Sequence, residues 1–189
     1  KRSSTKMRSS FLTIWSLLDP IYYYFTRLTY LPCKENILRI RLTKYKGKNV
    51  VLSDGTHINR DDLLVKIHLH NVKLLNELKD IKSELRRGKM IYRYVQKSLP
   101  DVEAFIQQHS RAEDIKGIIG ITMLNKGCTR LGFEVIDITH PIYKWFKTFA
   151  FLPIELLCNQ KQSIRHTIKH HQPSYLLMST RTLSKLYGD

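Results

Sequence analysis

Two stretches decide the fold: Ile37-Leu38-Arg39-Ile40-Arg41-Leu42-Thr43, and its counterpart Leu63-Leu64-Val65-Lys66-Ile67-His68-Leu69-His70. In the first, Leu38, Ile40 and Leu42 alternate with Arg39, Arg41 and Thr43. In the second, Val65, Ile67 and Leu69 take one side and Lys66, His68 and His70 the other. A period of two sends successive side chains to opposite faces of an extended chain, so each stretch predicts a half-buried strand whose polar face is basic. Between them Lys46-Gly47 makes a turn and Val50–Ser53 resumes as a strand. Asp54-Gly55 marks a tight hairpin because both positions tolerate positive φ, and Thr56–Ile58 returns from it.

Outward from this region the period changes to that of a helix. Asn71 is placed to cap a helix through Leu74, Leu75, Leu78, Ile81 and Leu85 that ends near Gly88. A second helix runs from about Met90 to Leu99, and Pro100 opens a third with Val102, Phe105 and Ile106 inward. Ile115–Leu124 and Gly132–Ile138 read as strands, and Tyr175–Tyr187 as a short strand and helix. Towards the start, Phe11, Ile14, Trp15, Leu18, Tyr22 and Phe25 recur at helical spacing, with Asp19-Pro20 dividing the segment into two short helices. Ile142, Trp145, Phe146 and Phe149 form a similar aromatic stripe, which Pro153 ends or kinks. The expected class is α+β: a small antiparallel or mixed sheet of about five strands with amphipathic helices packed on it. The expected organisation is a single domain over residues 1–158, a basic, His-rich linker or arm over 159–173, and a C-terminal segment over 174–189 that docks on the same domain.

A hydrophobic content of 42% over 189 residues is ample for one continuous core. The net charge of +16 is unevenly spread. Residues 1–48 hold 11 basic and 2 acidic side chains, whereas residues 49–115 hold 11 and 10. Such segregation points to a localised basic surface and an anionic partner, against the alternative that the charge serves solubility alone. Cys33, Cys128 and Cys158 are odd in number and form no C-x-x-C pair, so a disulfide framework and a cysteine zinc site are not expected, and a reducing compartment fits. Lys1–Arg8 followed by Phe11–Leu18 imitates a secretion signal, but Asp19-Pro20 and the aromatic run after it replace the small-x-small cleavage site. Residues 11–27 therefore read as folded protein, with Met7 as a natural start. No uncharged apolar run approaches the roughly 20 residues that span a bilayer. The expected localisation is cytoplasmic, peripheral on the inner membrane face.

Few constellations carry chemistry. His68 and His70 share a strand face at the i, i+2 spacing many metal sites use, and His57 approaches from the hairpin. These three are weak metal candidates, because no Asp or Glu is identifiable to complete or orient them. His166 and His170, with Asp61-Asp62, imitate the metal motifs of polysaccharide deacetylases, but the aspartates lack the flanking residues of that motif and the histidines sit in a basic arm, so the match reads as coincidence. No G-x-S-x-G, P-loop or dinucleotide glycine pattern occurs, and no cofactor is expected. Gly117-x-x-Gly120 resembles an RNA backbone clamp, yet its apolar surroundings read as a packed strand. Lys126 and Arg130 near Cys128 are cations of the kind that favour a thiolate, but no histidine is paired with it and a passive thiol is the expected reading. Trp15 and Trp145, in amphipathic stretches that also carry lysine or arginine, are candidate membrane anchors; core packing is the plainer use of such stripes.

Four strings, Ile14-Trp-Ser-Leu-Leu-Asp-Pro-Ile-Tyr22, Ile67-His-Leu-His-Asn71, Arg130-Leu-Gly-Phe-Glu-Val135 and the ending from Leu177-Met-Ser179 to Tyr187-Gly188, resemble the YkoP-like family of bacterial proteins. The likeness runs from Met7 to the end of the chain. It implies a domain known from spore-forming Bacillus relatives and also appended to some polysaccharide deacetylases, hence a cell-envelope context. It implies no activity and no catalytic residues.

The function expected is that of a non-catalytic accessory domain on an anionic membrane face or an envelope-synthesis protein. Arg39, Arg41, Lys44, Lys46 and Lys48 would supply the charge. The alternatives are an enzyme acting on a glycan or lipid-linked substrate through His68, His70 and Asn71, and nonspecific nucleic-acid binding through charge alone.

Overall fold

The computed structural model describes residues 29–30, 36–78, 80–81, 83–122, 127–138 and 174–188. In chain order the strands are β1 (Thr29–Tyr30), β2 (Leu38–Lys44), β3 (Val50–Val51), β4 (His57–Ile58), β5 (Leu63–Leu69), β6 (Ile115–Thr122), β7 (Glu134–Asp137) and β8 (Ser174–Ser179). The α-helices among the described residues are α1 (Asn71–Leu78), α2 (Glu84–Gln107) and α3 (Thr180–Tyr187). The expected stretches at 11–27 and 139–153, with Trp15 and Trp145, lie outside the described residues, as do the arm at 159–173, Cys33, Cys158, Lys126, His166 and His170.

The α+β expectation holds. Six strands form one mixed sheet in the order β1-β2-β5-β6-β8-β7, and β3 and β4 pair separately as a hairpin. The two alternating stretches are neighbours, antiparallel from Leu38 opposite Leu69 to Lys44 opposite Leu63. Next, β5 and β6 run parallel, which requires a long crossover; α1 and α2 supply it. The remaining pairs, β6 with β8 and β8 with β7, are antiparallel.

The apolar side chains of the alternating strands face the helices. Leu38, Ile40, Val65, Ile67, Ile118, Leu176 and Met178 pack against Leu99, Val102 and Ile106 of α2 and Leu183 of α3. This packing corrects two helix boundaries. The expected break at Pro100 does not occur, and α2 passes through it. An internal proline costs about 3 kcal/mol, whereas burying Leu99, Val102 and Ile106 contributes about 2 kcal/mol each, so burial on both sides of the proline wins. Pro100 and Gln96 both sit on the exposed side, where water can satisfy the carbonyl that lost its helical donor.

The other boundary lies upstream. A helix continuing through Leu85 to Gly88 is not observed; α1 stops at Leu78, and α2 starts after Ser83, whose Oγ accepts from Arg86 N at 3.4 Å. Leu85 is 84% exposed, and Gly88 lies inside α2. The cap of α1 also shifts by one residue: Leu74 N donates to the carbonyl of His70, so His70 takes the capping position and Asn71 is the first helical residue.

Polar contacts fix where β2 enters the sheet. Leu38 N donates to Asn36 Oδ1 at 2.7 Å, while Asn36 Nδ2 donates to Asp101 Oδ2 at 2.8 Å. Ile37 N donates to the buried Ser98 Oγ at 3.3 Å. Beyond the core, Tyr94 Oη donates to Glu77 Oε2 at 2.9 Å and joins α2 to α1.

The opposite sheet face is covered in part by the β3–β4 hairpin. Tyr45, Leu52 and Ile58 pack there with Leu64, Ile119, Tyr175, Leu177 and Ile138. Gly55, at φ +83°, turns the hairpin as its Asp-Gly pair predicts. Gly117 and Gly120 both lie inside β6, so the Gly-x-x-Gly string is a strand segment and not a clamp loop.

Two glycine replacements should separate these environments. A Cβ at Gly117 would sit 2.3 Å from the backbone carbonyl oxygen of Met178, so Gly117→Ala should cost about 1–3 kcal/mol or more. At Gly88 a Cβ meets nothing within 4 Å, and Gly88→Ala should stabilise by roughly 0.5–1 kcal/mol. Urea midpoints measure both; equal tolerance at the two sites would contradict the close β6–β8 approach.

Candidate functional site

The five cations expected to form one basic stripe divide between two places. Arg39 and Arg41 lie within β2, on the face away from α2, because Leu38 and Ile40 occupy the helix side. Arg39 is buried, only 3% exposed, and Arg41 is half-buried. An outward-facing Arg39 is thus corrected: β2 lies inside the sheet, between β1 and β5, and its polar face is not open surface at that position. Lys44, Lys46 and Lys48 are exposed, at the end of β2 and in the loop that follows.

Register completes the inner group. Arg39 pairs with His68 and Arg41 with Lys66, so on the β5 side both arginines stand opposite basic side chains, while on the β1 side Arg39 stands opposite Tyr30. His68 and Lys66 are half-buried. Side chains directly opposite in an antiparallel pair stand about 5 Å apart at Cβ, and like charges there are destabilising. Lys66 was legible as a member of this face from the alternation, but only the register sets it against Arg41.

Two carboxylates, Glu134 and Asp54, fasten the hairpin. Glu134 Oε1 accepts from Ser53 N and Ser53 Oγ, both at 2.7 Å. Asp54, at the hairpin tip, accepts from Ser179 Oγ, from Thr182 Oγ1 at 3.1 Å and from Thr56 N at 3.0 Å. Ser179 caps α3 through Thr182 N, so Asp54 ties the tip to the junction of β8 and α3. Partial burial pushes the Asp54 carboxyl up, but hydrogen bonds from Ser179, Thr56 and Thr182 outweigh it and hold the group at about 2.

The outer cluster closes the base of the hairpin. Lys46 Nζ donates to Asp61 Oδ1, and Asp62 Oδ2 accepts from Asn59 N at 2.7 Å. The Lys46 hydrogen bond, with the charges of Lys44 and Arg60 nearby, lowers the Asp61 pKa. Arg60 therefore belongs to this exposed group, as sequence spacing did not suggest; its backbone N–H donates to Asn49 Oδ1 at 2.9 Å, bringing the two loops together. The Asp61-Asp62 pair is a loop closure, with Asp61 in the left-handed region at φ 71°.

Other candidates resolve differently. His57 is exposed on the hairpin, while His68 and His70 lie at the far end of β5 from Leu63, and no group of three potential metal ligands occurs among the described residues. Burial pushes the Cys128 thiol up, the direction of a passive thiol. Among the described residues no helix is long and apolar enough to cross a membrane.

The fold and these side chains define an α+β domain with a partly buried basic sheet face and an exposed basic loop. A family model described as the YkoP domain matches residues 8–187, and the chain belongs to that family. It is 49% identical over 182 residues to a Bacillus subtilis (strain 168) protein described as "Uncharacterized protein YkoP", a match covering 96% of this chain and 98% of that relative. No solved structure matches it.

The Asp54 clamp gives a pH signature. Its folded pKa lies below the ordinary value of 3.8, so its stabilisation is complete above about pH 4 and is lost as pH falls towards 2. Allowing for partial exposure, Asp54→Asn should cost about 1–2 kcal/mol at neutral pH. Chemical denaturation across the acid range checks this: the gap between wild type and variant should close between pH 4 and pH 2.

Proposed function

We propose that the protein is a non-catalytic accessory domain that docks peripherally on an anionic membrane face through the loop after β2. The observation that carries this reading is the exposure of Lys44, Lys46 and Lys48 beside Arg60. Lys46 is partly neutralised by Asp61, which leaves Lys44, Lys48 and Arg60 as the cations best placed to meet lipid phosphates. A basic side chain near an anionic surface contributes about 1 kcal/mol, so several within one loop give reversible, salt-sensitive attachment. The charge excess of the first 48 residues supports it, and Trp15 and Trp145 are the proposed aromatic anchors. The envelope context implied by the family resemblance fits a cytoplasmic position beneath the membrane, with an envelope-synthesis protein as an additional neighbour.

Sedimentation with phosphatidylcholine vesicles, with and without phosphatidylglycerol, tests the proposal across a salt series with duplex DNA as competitor. Recovery should require the anionic lipid, fall with salt and persist against DNA. Lys44→Gln combined with Lys48→Gln should weaken it about tenfold or more, the scale set by two lost surface cations. Equal recovery on neutral vesicles would overturn the proposal, and so would an unaffected double variant. Displacement by DNA would favour nucleic-acid binding instead.

A further inference from the structure

The solvent face of α2 carries a second basic surface, distinct from the loop after β2. Arg86, Lys89, Arg93 and Lys97 are all exposed, at spacings of three, four and four residues. At 3.6 residues per turn they fall within an arc of about 80° and form a straight row about 17 Å long. Among the described residues no ion pair or side-chain hydrogen bond holds any of the four. Glu84 is the only acidic residue between positions 84 and 100. Further along α2 the carboxylates are engaged elsewhere. Asp101 accepts from Asn36 Nδ2 at 2.8 Å, and Glu103 is buried and accepts from Gln107 Nε2 at 2.9 Å. The row therefore presents charge of one sign.

We infer that this row is a docking surface for duplex nucleic acid, held through its phosphates without regard to sequence. A duplex carries one negative charge per about 1.7 Å of axis, so a row of about 17 Å faces about ten phosphates wherever it settles. Lysine and arginine on those phosphates release condensed counterions, and that release drives binding without a pocket. Protein interfaces centre instead on apolar residues, with charges at the rim. Here the exposed neighbours of the row are Gln96 and Pro100, and exposed Leu85 stands only at its end. A membrane is the other anionic surface, but the row and the loop lie at different ends of the sheet. Ser98 Oγ accepts from Ile37 N, and Tyr94 Oη donates to Glu77, which places the row at the end where β2 begins. The loop follows Lys44 at the other end of this seven-residue strand, about 20 Å away. That is about two Debye lengths at 0.1 M salt, so the two surfaces act separately and this inference does not rest on the membrane proposal.

Fluorescence anisotropy of the full chain with a short DNA duplex of mixed sequence, titrated between about 50 and 200 mM salt, tests it. Four phosphate contacts predict a slope of log affinity on log salt of about −3.6, so binding weakens roughly a hundredfold over that range. Arg93→Gln combined with Lys97→Gln should make the slope shallower by about 1.8 and weaken binding about tenfold or more at the low-salt end. Both positions are exposed and glutamine is a good helix former, so the variant should fold, which circular dichroism checks. Lys44→Gln with Lys48→Gln should leave the slope unchanged. Wild type and the α2 variant should sediment equally with phosphatidylglycerol vesicles. No binding to the duplex at low salt would overturn the inference, as would an unchanged slope in the folded α2 variant. Loss of vesicle recovery in that variant would assign the row to the membrane face, and tighter binding of polyglutamate than of the duplex would assign it to an acidic protein. Either of these results also overturns the inference.

Discussion

Seven consecutive residue pairs join β2 to β5, and the period of the strands turns that one register into a division of labour between two faces. On one side it aligns Leu38, Ile40 and Leu42 with Leu69, Ile67 and Val65 to make the floor on which α2 and α3 rest. On the other it aligns Arg39 and Arg41 with His68 and Lys66. A slip of one residue would put the arginines against Leu99 and Val102 and the leucines into the polar row. The apolar burial that fixes the register therefore also holds the cations together.

The surrounding devices protect that pairing. Asn36 and Ser98 hold the start of β2 against α2, and the parallel β5–β6 pair is closed by the α1–α2 crossover. Asp54 and Glu134 hold the hairpin over the apolar half of the opposite face. Asp54 and Glu134 thus serve local closure, while the basic residues of β2 and β5 share the inner row and Lys44, Lys46, Lys48 and Arg60 the outer loop. For a chain with twice as many basic as acidic residues, this distribution gives the net charge a place.

The strands were legible because alternation is a strong signal when one face is buried. Leu38 to Thr43, Leu63 to His70 and the Asp54-Gly55 turn carried most of the sheet. The helix boundaries were less so: Pro100 reads locally as a start, and only the burial of Leu99, Val102 and Ile106 explains why α2 passes through it. The candidate site was half legible. The alternation identified Arg39, Arg41, Lys66 and His68 as facing away from the apolar side, but burial and cross-strand partners are properties of the sheet, so the difference between buried Arg39 and exposed Lys48 was not. Arg60 joined the outer cluster through loop closure by Asn49 and Asp61, contacts that no spacing rule encodes.

The central claim is that the exposed loop after β2, and not the strand faces, is what meets an anionic surface. Amide hydrogen exchange on the full chain, read by mass spectrometry with phosphatidylcholine vesicles and with vesicles that also contain phosphatidylglycerol, tests it most directly. The account predicts that the anionic vesicles slow exchange in residues 44–49 and 59–62 and leave residues 63–70 unchanged. Equal slowing on neutral vesicles, or no change in residues 44–49, would contradict it.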